Sequence, residues 1–130
     1  MEWDDYWQKA KENLDVAALA YQNQKHNACA SRAYYAVFLA SIAVLLKLTD
    51  YRARRNEWDH SQVQAELNRR LIMRRKVLPG ELGRIPMDLM ELRHEADYKP
   101  QSVTAKDAKW AYDRAEKFLS TIESTLGETV

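Results

Sequence analysis

The chain reads as an all-α, up-and-down bundle of about five helices, and three observations lead there. First, the stretch Cys29 to Leu48, CASRAYYAVFLASIAVLLKL, is apolar on every side and carries only Arg32 and Lys47 as charges. A helix that seeks burial all round is the central member of a packed bundle or a membrane span. A span needs about 20 predominantly apolar residues; this run is read as shorter, carries two tyrosines and two serines and has charges near both ends, so a core helix is the reading. Second, only three glycines and three prolines occur, with two of each between Pro79 and Pro86, leaving little turn chemistry for hairpins. Third, apolar residues elsewhere recur at helical spacing.

The first helix is expected to begin near Asp4 or Asp5, either of which can cap it. Trp3, Tyr6, Trp7, Ala10, Leu14, Ala17, Ala18 and Tyr21 then share one side. Gln22 to Asn27 is a polar break containing a solvated His26, with Asn27 expected to cap the central helix. After Leu48 comes a polar, basic segment. Asp59 with Gln62 three residues on resembles a capping box and opens a third helix with Val63, Leu67 and Leu71 inward. Pro79 is expected in the first turn of a fourth helix with Leu82, Ile85, Leu89, Leu92 and Ala96 inside. Pro86 interrupts that stripe, predicting a kink or a two-piece helix. The helix should end near Tyr98, because Pro100 biases Lys99 away from helical geometry. Thr104 with Asp107 signals a last helix to about Leu126, with Ala108, Ala111, Tyr112, Ala115, Leu119 and Ile122 facing in.

The 130 residues fit one domain, residues 1–130, large enough for a real core. Hydrophobic residues at 46% and charged residues at 30% argue against disorder. A single cysteine, Cys29, excludes a disulfide framework and suits a reducing compartment. The opening MEWDDYWQKA is unlike a signal peptide, and the expected location is cytoplasmic, with no membrane partner. No zinc spacing and no glycine-rich phosphate loop is present, so no metal and no cofactor is expected. Net charge is only +1, yet Tyr51 to Lys76 holds eight Arg/Lys against three Asp/Glu. Such a segment reads either as a solvated face or as an anion or nucleic-acid surface. Seven of the eight are arginines, suited to bidentate phosphate contacts.

Three stretches together resemble the HEPN family of small helical proteins. They are SRAYYAVFLASIAVLLK (Ser31 to Lys47), similar to that family's Ser-x-x-Tyr-Tyr-Ala helix; His60-Ser61-x-Val63; and Leu82-Gly83-x-Ile85 through Leu92-Arg93-x-x-Ala96-Asp97-Tyr98. The resemblance covers residues 5 to 123 and implies a helical bundle, usually a homodimer. Many members resemble toxins paired with a minimal nucleotidyltransferase antitoxin, and a number are metal-independent endoribonucleases; others bind nucleotides or mediate assembly. The nuclease members share an Arg, often followed by a polar residue, and then a His. A neutral His can take the proton of a ribose 2′-hydroxyl while an Arg holds the phosphate. Arg55-Asn56-Glu57-Trp58-Asp59-His60 matches that spacing, and Arg54 to His60 also qualifies. The family usually places the motif later, where this chain has Arg93-His94-Glu95-Ala96-Asp97-Tyr98, with Asp97 near the expected His.

The candidate catalytic residues are therefore Arg55, His60, Arg93 and Asp97, and the candidate RNA- or nucleotide-binding residues are Arg32, Tyr35, Arg54, Asn56 and Tyr98. Each has a plain structural alternative. His60 suits a first-turn surface position, and Arg93 with Asp97 suits an intrahelical ion pair. Tyr34 and Tyr35 leave the helix about 100° apart, so at most one is expected in any given cleft, with Tyr34 assigned to the core. An RNA or nucleotide ligand, a nucleotidyltransferase partner, and a purely structural dimer that docks an enzyme are the three functional readings.

Overall fold

A computed structural model describes residues 2–55 and 57–128. Five α-helices follow in order: α1 (Glu2–Gln22), α2 (His26–Leu48), α3 (His60–Glu66), α4 (Ile85–Tyr98) and α5 (Ala105–Glu128). Among the described residues there is no strand, only an isolated bridge between Arg54 and Glu57. The all-α expectation is met.

Helix α2 lies at the centre, packed against α1, α4 and α5. Its length and mean hydropathy of 1.7 would suit a membrane span, but 83% of the apolar window is buried inside the bundle. Ala33, Ala36, Ala40 and Ala43 are fully buried, and such small side chains let neighbouring helices approach closely on every side. Ser41 returns its hydroxyl to the Val37 carbonyl at 2.8 Å, which satisfies a polar group in the apolar interior.

Several ends differ from expectation. Helix α1 begins at Glu2, which puts Asp4 and Asp5 inside its first turn rather than at its cap. Three acidic residues there favour the positive end of the helix dipole. Asn27 does not cap α2, which starts at His26 after Lys25. Its amide oxygen instead accepts the Val103 N–H at 2.8 Å, and its amide nitrogen donates to the Ser102 hydroxyl at 3.4 Å. It thus ties the α4–α5 connection to the bundle. Asn27→Ala should leave the Val103 N–H without this acceptor and cost about 1–3 kcal/mol, readable as a lower urea midpoint at unchanged slope. His26 is half-buried beside Tyr21 rather than solvated.

Asp59 does cap α3, accepting the Gln62 N–H at 2.9 Å. The reciprocal half of the box is absent, because the Gln62 side-chain oxygen accepts from the Tyr51 hydroxyl at 3.3 Å. Past Glu66 the helix widens into a π-helical segment, Leu67–Arg74. Asn68 contributes there, donating to the Gln64 carbonyl at 3.1 Å and to the Gly83 carbonyl at 3.5 Å. A Cβ on Gly83 would lie 2.5 Å from the Asn68 side-chain oxygen, so a larger residue at this crossing would displace that amide. Helix four is indeed two-piece: a 3₁₀ segment, Gly80–Arg84, precedes α4. Pro79 stays extended ahead of it, and Pro86 falls in the first turn of α4, where a missing N–H costs nothing.

Candidate functional site: an arginine–histidine cluster over paired tyrosines

The site forms where α2, the start of α3 and the last turns of α4 meet. The chain between Leu48 and His60 is anchored by Trp58, whose indole N–H donates to the Tyr6 hydroxyl of α1 at 2.8 Å. Their rings meet edge to face at 5.8 Å. That anchor and the Asp59 cap deliver His60 onto α2. Its imidazole stacks flat on Phe38, with ring centroids 4.1 Å apart and planes 6° apart, and also lies 5.6 Å from the Tyr34 ring. Nδ1 of His60 shares a hydrogen bond with the Tyr34 hydroxyl. His60 is therefore half-buried and packed, not a free surface residue. Its edge lines a depression with Glu57, Trp58, Asp59 and Ser61.

Arg93 reaches the same place from α4. Its guanidinium carbon lies 5.3 Å from the Tyr34 ring centre, 5.7 Å from that of Tyr35 and 6.0 Å from that of Tyr98. The side chain is only 13% exposed and pairs with Asp97 at 3.5 Å. Its Nε is buried and has no partner. The contact to Asp97 is long at 3.5 Å, whereas cation–π contacts contribute about 0.5–2 kcal/mol each. The tyrosines, more than Asp97, therefore hold Arg93. Tyr35 also contacts Arg32, whose guanidinium lies 5.4 Å from its ring centre and donates to the Asn13 side-chain oxygen at 3.1 Å.

Both tyrosines face this cleft, contrary to expectation. Their rings meet at 5.3 Å and 66°, and each contacts both Arg93 and His60. An angular separation of about 100° at the backbone is bridged because the long rings lean along the helix. Tyr34, assigned to the core by sequence, is fully buried yet carries its hydroxyl to His60. A buried tyrosine usually finds a partner for its O–H; that rule signals a polar neighbour without saying which.

Burial holds His60 below its ordinary value of 6.5, Arg93 adds to the depression, and Asp59 acts in the opposite direction. Burial pushes the Tyr34 hydroxyl well above the tyrosine range, with Arg93 opposing and Tyr35 assisting. Both groups are thus neutral near pH 7. The unfolded chain binds a proton at His60 more readily than the folded one, so stability rises with pH through this window. The contribution is full above about 6.5 and is lost as pH falls below it. Thermal melts of the wild type should decline from pH 7.5 to pH 5.5, and His60→Gln should flatten that decline.

The other sequence candidates lie elsewhere. Arg54 and Arg55 are exposed in the connection before α3, and Arg55 adopts a left-handed backbone (φ 53°). Among the described residues Arg55 has no side-chain hydrogen bond, ion pair or ring contact, and it is Arg93 that is brought to His60. Asn56 lies outside the described residues. Tyr98 is 66% exposed at the rim and also touches His94 at 5.0 Å. Four arginines of the basic segment are engaged structurally, among them Arg69, which donates to Glu66 at 2.7 Å. Arg52 donates to the carbonyls of Leu46, Thr49 and Tyr51, Arg75 to that of Leu48, and Arg70 to Asp50 and Glu66. Several of these carbonyls belong to the C-terminal end of α2, where cations are favoured. Among the described residues no cluster of His, Cys, Asp and Glu could hold a metal ion.

Residues 3–125 match the family model of the HEPN domain. The chain belongs to the HEPN family. It is 32% identical over 124 residues to a UPF0332 protein of Thermotoga maritima, covering 94% of this chain and 89% of that protein. It is also 29% identical over 119 residues to a Methanocaldococcus jannaschii protein named "Putative toxin MJ0605", covering 92% and 84%. The HEPN helices of this chain thus carry an Arg and a His that sequence separates widely and the bundle joins.

Proposed function

We propose that this HEPN protein is a toxin-type, RNA-directed protein of the cytoplasm that binds a phosphodiester between Arg93 and His60. The observation that supports it is that both side chains contact the same two rings, Tyr34 and Tyr35. Arg93 supplies charge and a rigid donor fork suited to phosphate, and the exposed face of Tyr98 can stack on a base. Tyr35 and Arg32 extend the same surface. Cleavage without a metal is the reaction open to such a pair, with His60 moving a proton at the ribose and Arg93 stabilising phosphate charge. The resemblance to paired toxins adds two further proposals: a homodimer, and a minimal nucleotidyltransferase as antitoxin.

Purified protein with a labelled single-stranded RNA in EDTA tests the reading. Binding should weaken as salt rises, because phosphate contacts release counterions. Fragments that disappear with His60→Ala would establish endoribonuclease activity. Salt-dependent binding with intact RNA would make the protein a non-catalytic RNA module. Absence of binding at low salt would overturn the proposal in favour of an assembly module that docks a nucleotidyltransferase or another enzyme.

A further inference from the structure

The hydrogen bond between Tyr34 and His60 has two possible senses, and the surroundings choose between them. Tyr34 is fully buried, and His60 Nδ1 is the one hydrogen-bond partner of its hydroxyl among the described residues. Arg93, the nearest charged side chain, offers donors only. If Nδ1–H donated to the tyrosine, the buried O–H would have no acceptor, which is costly in a dry interior. If the tyrosine donates to Nδ1, the buried O–H and Nδ1 are both satisfied and the ring proton moves to Nε2.

We infer that Tyr34 is a positioning residue that holds His60 as the neutral, Nε2-protonated tautomer, so that the resting site is a two-donor clamp for a singly charged phosphodiester. The inference rests on the proposed RNA-directed function for its ligand, but the tautomer is a property of the free protein. In this arrangement His60 contributes an N–H and no charge. Arg93 contributes the full positive charge at Tyr34, already shared with Asp97, while Arg32 lies at Tyr35 with its guanidinium donating to Asn13. Glu57 and Asp59 flank the depression beside His60, so a second negative charge on the ligand meets repulsion rather than compensation. An internal diester carries one charge, whereas a terminal phosphate carries nearly two above its second ionisation near 6. The clamp therefore suits the backbone of an RNA chain and disfavours a free nucleotide. The same geometry implies that any proton abstraction by His60 Nε2 first requires the tautomer to invert, with Tyr34 surrendering its donor role.

Long-range ¹H–¹⁵N correlation spectra of the free protein at pH 7.5 distinguish a bare ring nitrogen from a protonated one. The expected result is a bare Nδ1 and a protonated Nε2 for His60, changing to a mixture of both tautomers in Tyr34→Phe. Loss of the hydroxyl donor should also raise the titration midpoint of His60 in that variant, because a hydrogen bond to the neutral form is removed. A protonated Nδ1 in the wild type would overturn the inference without any variant having to fold, and would leave RNA binding untouched. The ligand class is read at pH 8 with two probes, the dinucleoside monophosphate ApA and 5′-AMP. ApA should bind more tightly by about fivefold or more. Equal or tighter binding of 5′-AMP would overturn the diester assignment. Binding of neither probe, with Nε2 still protonated, would overturn the RNA-directed reading while upholding the role of Tyr34.

Discussion

Arg93→Ala is expected to weaken RNA binding by about 10- to 100-fold, corresponding to about 1.5–3 kcal/mol for hydrogen bonds to a charged group. The guanidinium is almost covered and is held by three tyrosine rings. It is thus a preoriented donor that loses little freedom on binding. A fluorescence titration against salt should show the slope falling by about 0.7, the share of one phosphate contact on a single strand. Arg93→Lys should recover part of the affinity and most of the slope, since it restores charge without the planar fork. Arg55→Ala provides the contrast. It is an exposed residue on a connecting segment, and its removal should change affinity by less than about fivefold, in keeping with a surface charge worth at most about 1 kcal/mol. An Arg55 effect as large as that of Arg93 would move the site to the basic connection.

Phe118→Ala should be the most damaging single truncation of the bundle, at about 3–5 kcal/mol. Phe118 is fully buried on α5, on the same face as Ala108, Ala111, Ala115, Leu119 and Ile122. That face lies against α2 and α1. The surrounding alanines cannot collapse into the space a phenyl ring leaves, so most of the cavity should persist. Against a domain stability of about 5–15 kcal/mol, this loss is a large fraction. Urea unfolding followed by tryptophan fluorescence measures it, with Glu123→Ala at an exposed α5 position as the control expected within about 0.5 kcal/mol. A Phe118→Ala cost below about 1 kcal/mol would mean that α5 is not clamped on the core.

Much of the fold was legible because local chemistry alone decides it. The all-round apolarity of Cys29 to Leu48 determined that α2 is central, since only a fully enclosed helix can hide every face. Asp59 capped α3 as read, because the cap joins a side chain to a backbone group three residues away. Arg93 and Asp97, four residues apart on one helix, met as their spacing dictates. The boundaries that shifted were those set by distant partners. Asn27 was drawn from capping α2 by the Val103 N–H at the opposite end of the chain, and the π-helical turn at Leu67–Arg74 coincides with the crossing of Asn68 and Gly83.

The candidate site was legible in its parts and not in its pairing. The sequence by itself determined that His60, Arg93 and Tyr35 are available, and which helix face each occupies. Only the tertiary structure decided that His60 joins Arg93 rather than Arg55, that Tyr34 turns its hydroxyl to the imidazole, and that Arg52, Arg70 and Arg75 serve the end of α2 and its neighbouring carboxylates. The physical reason is that helical periodicity fixes the direction in which a side chain leaves its own axis. Which side chains then meet is set by how the helices pack around α2, and by the requirement that a buried hydroxyl, a cation and a row of terminal carbonyls each find a partner.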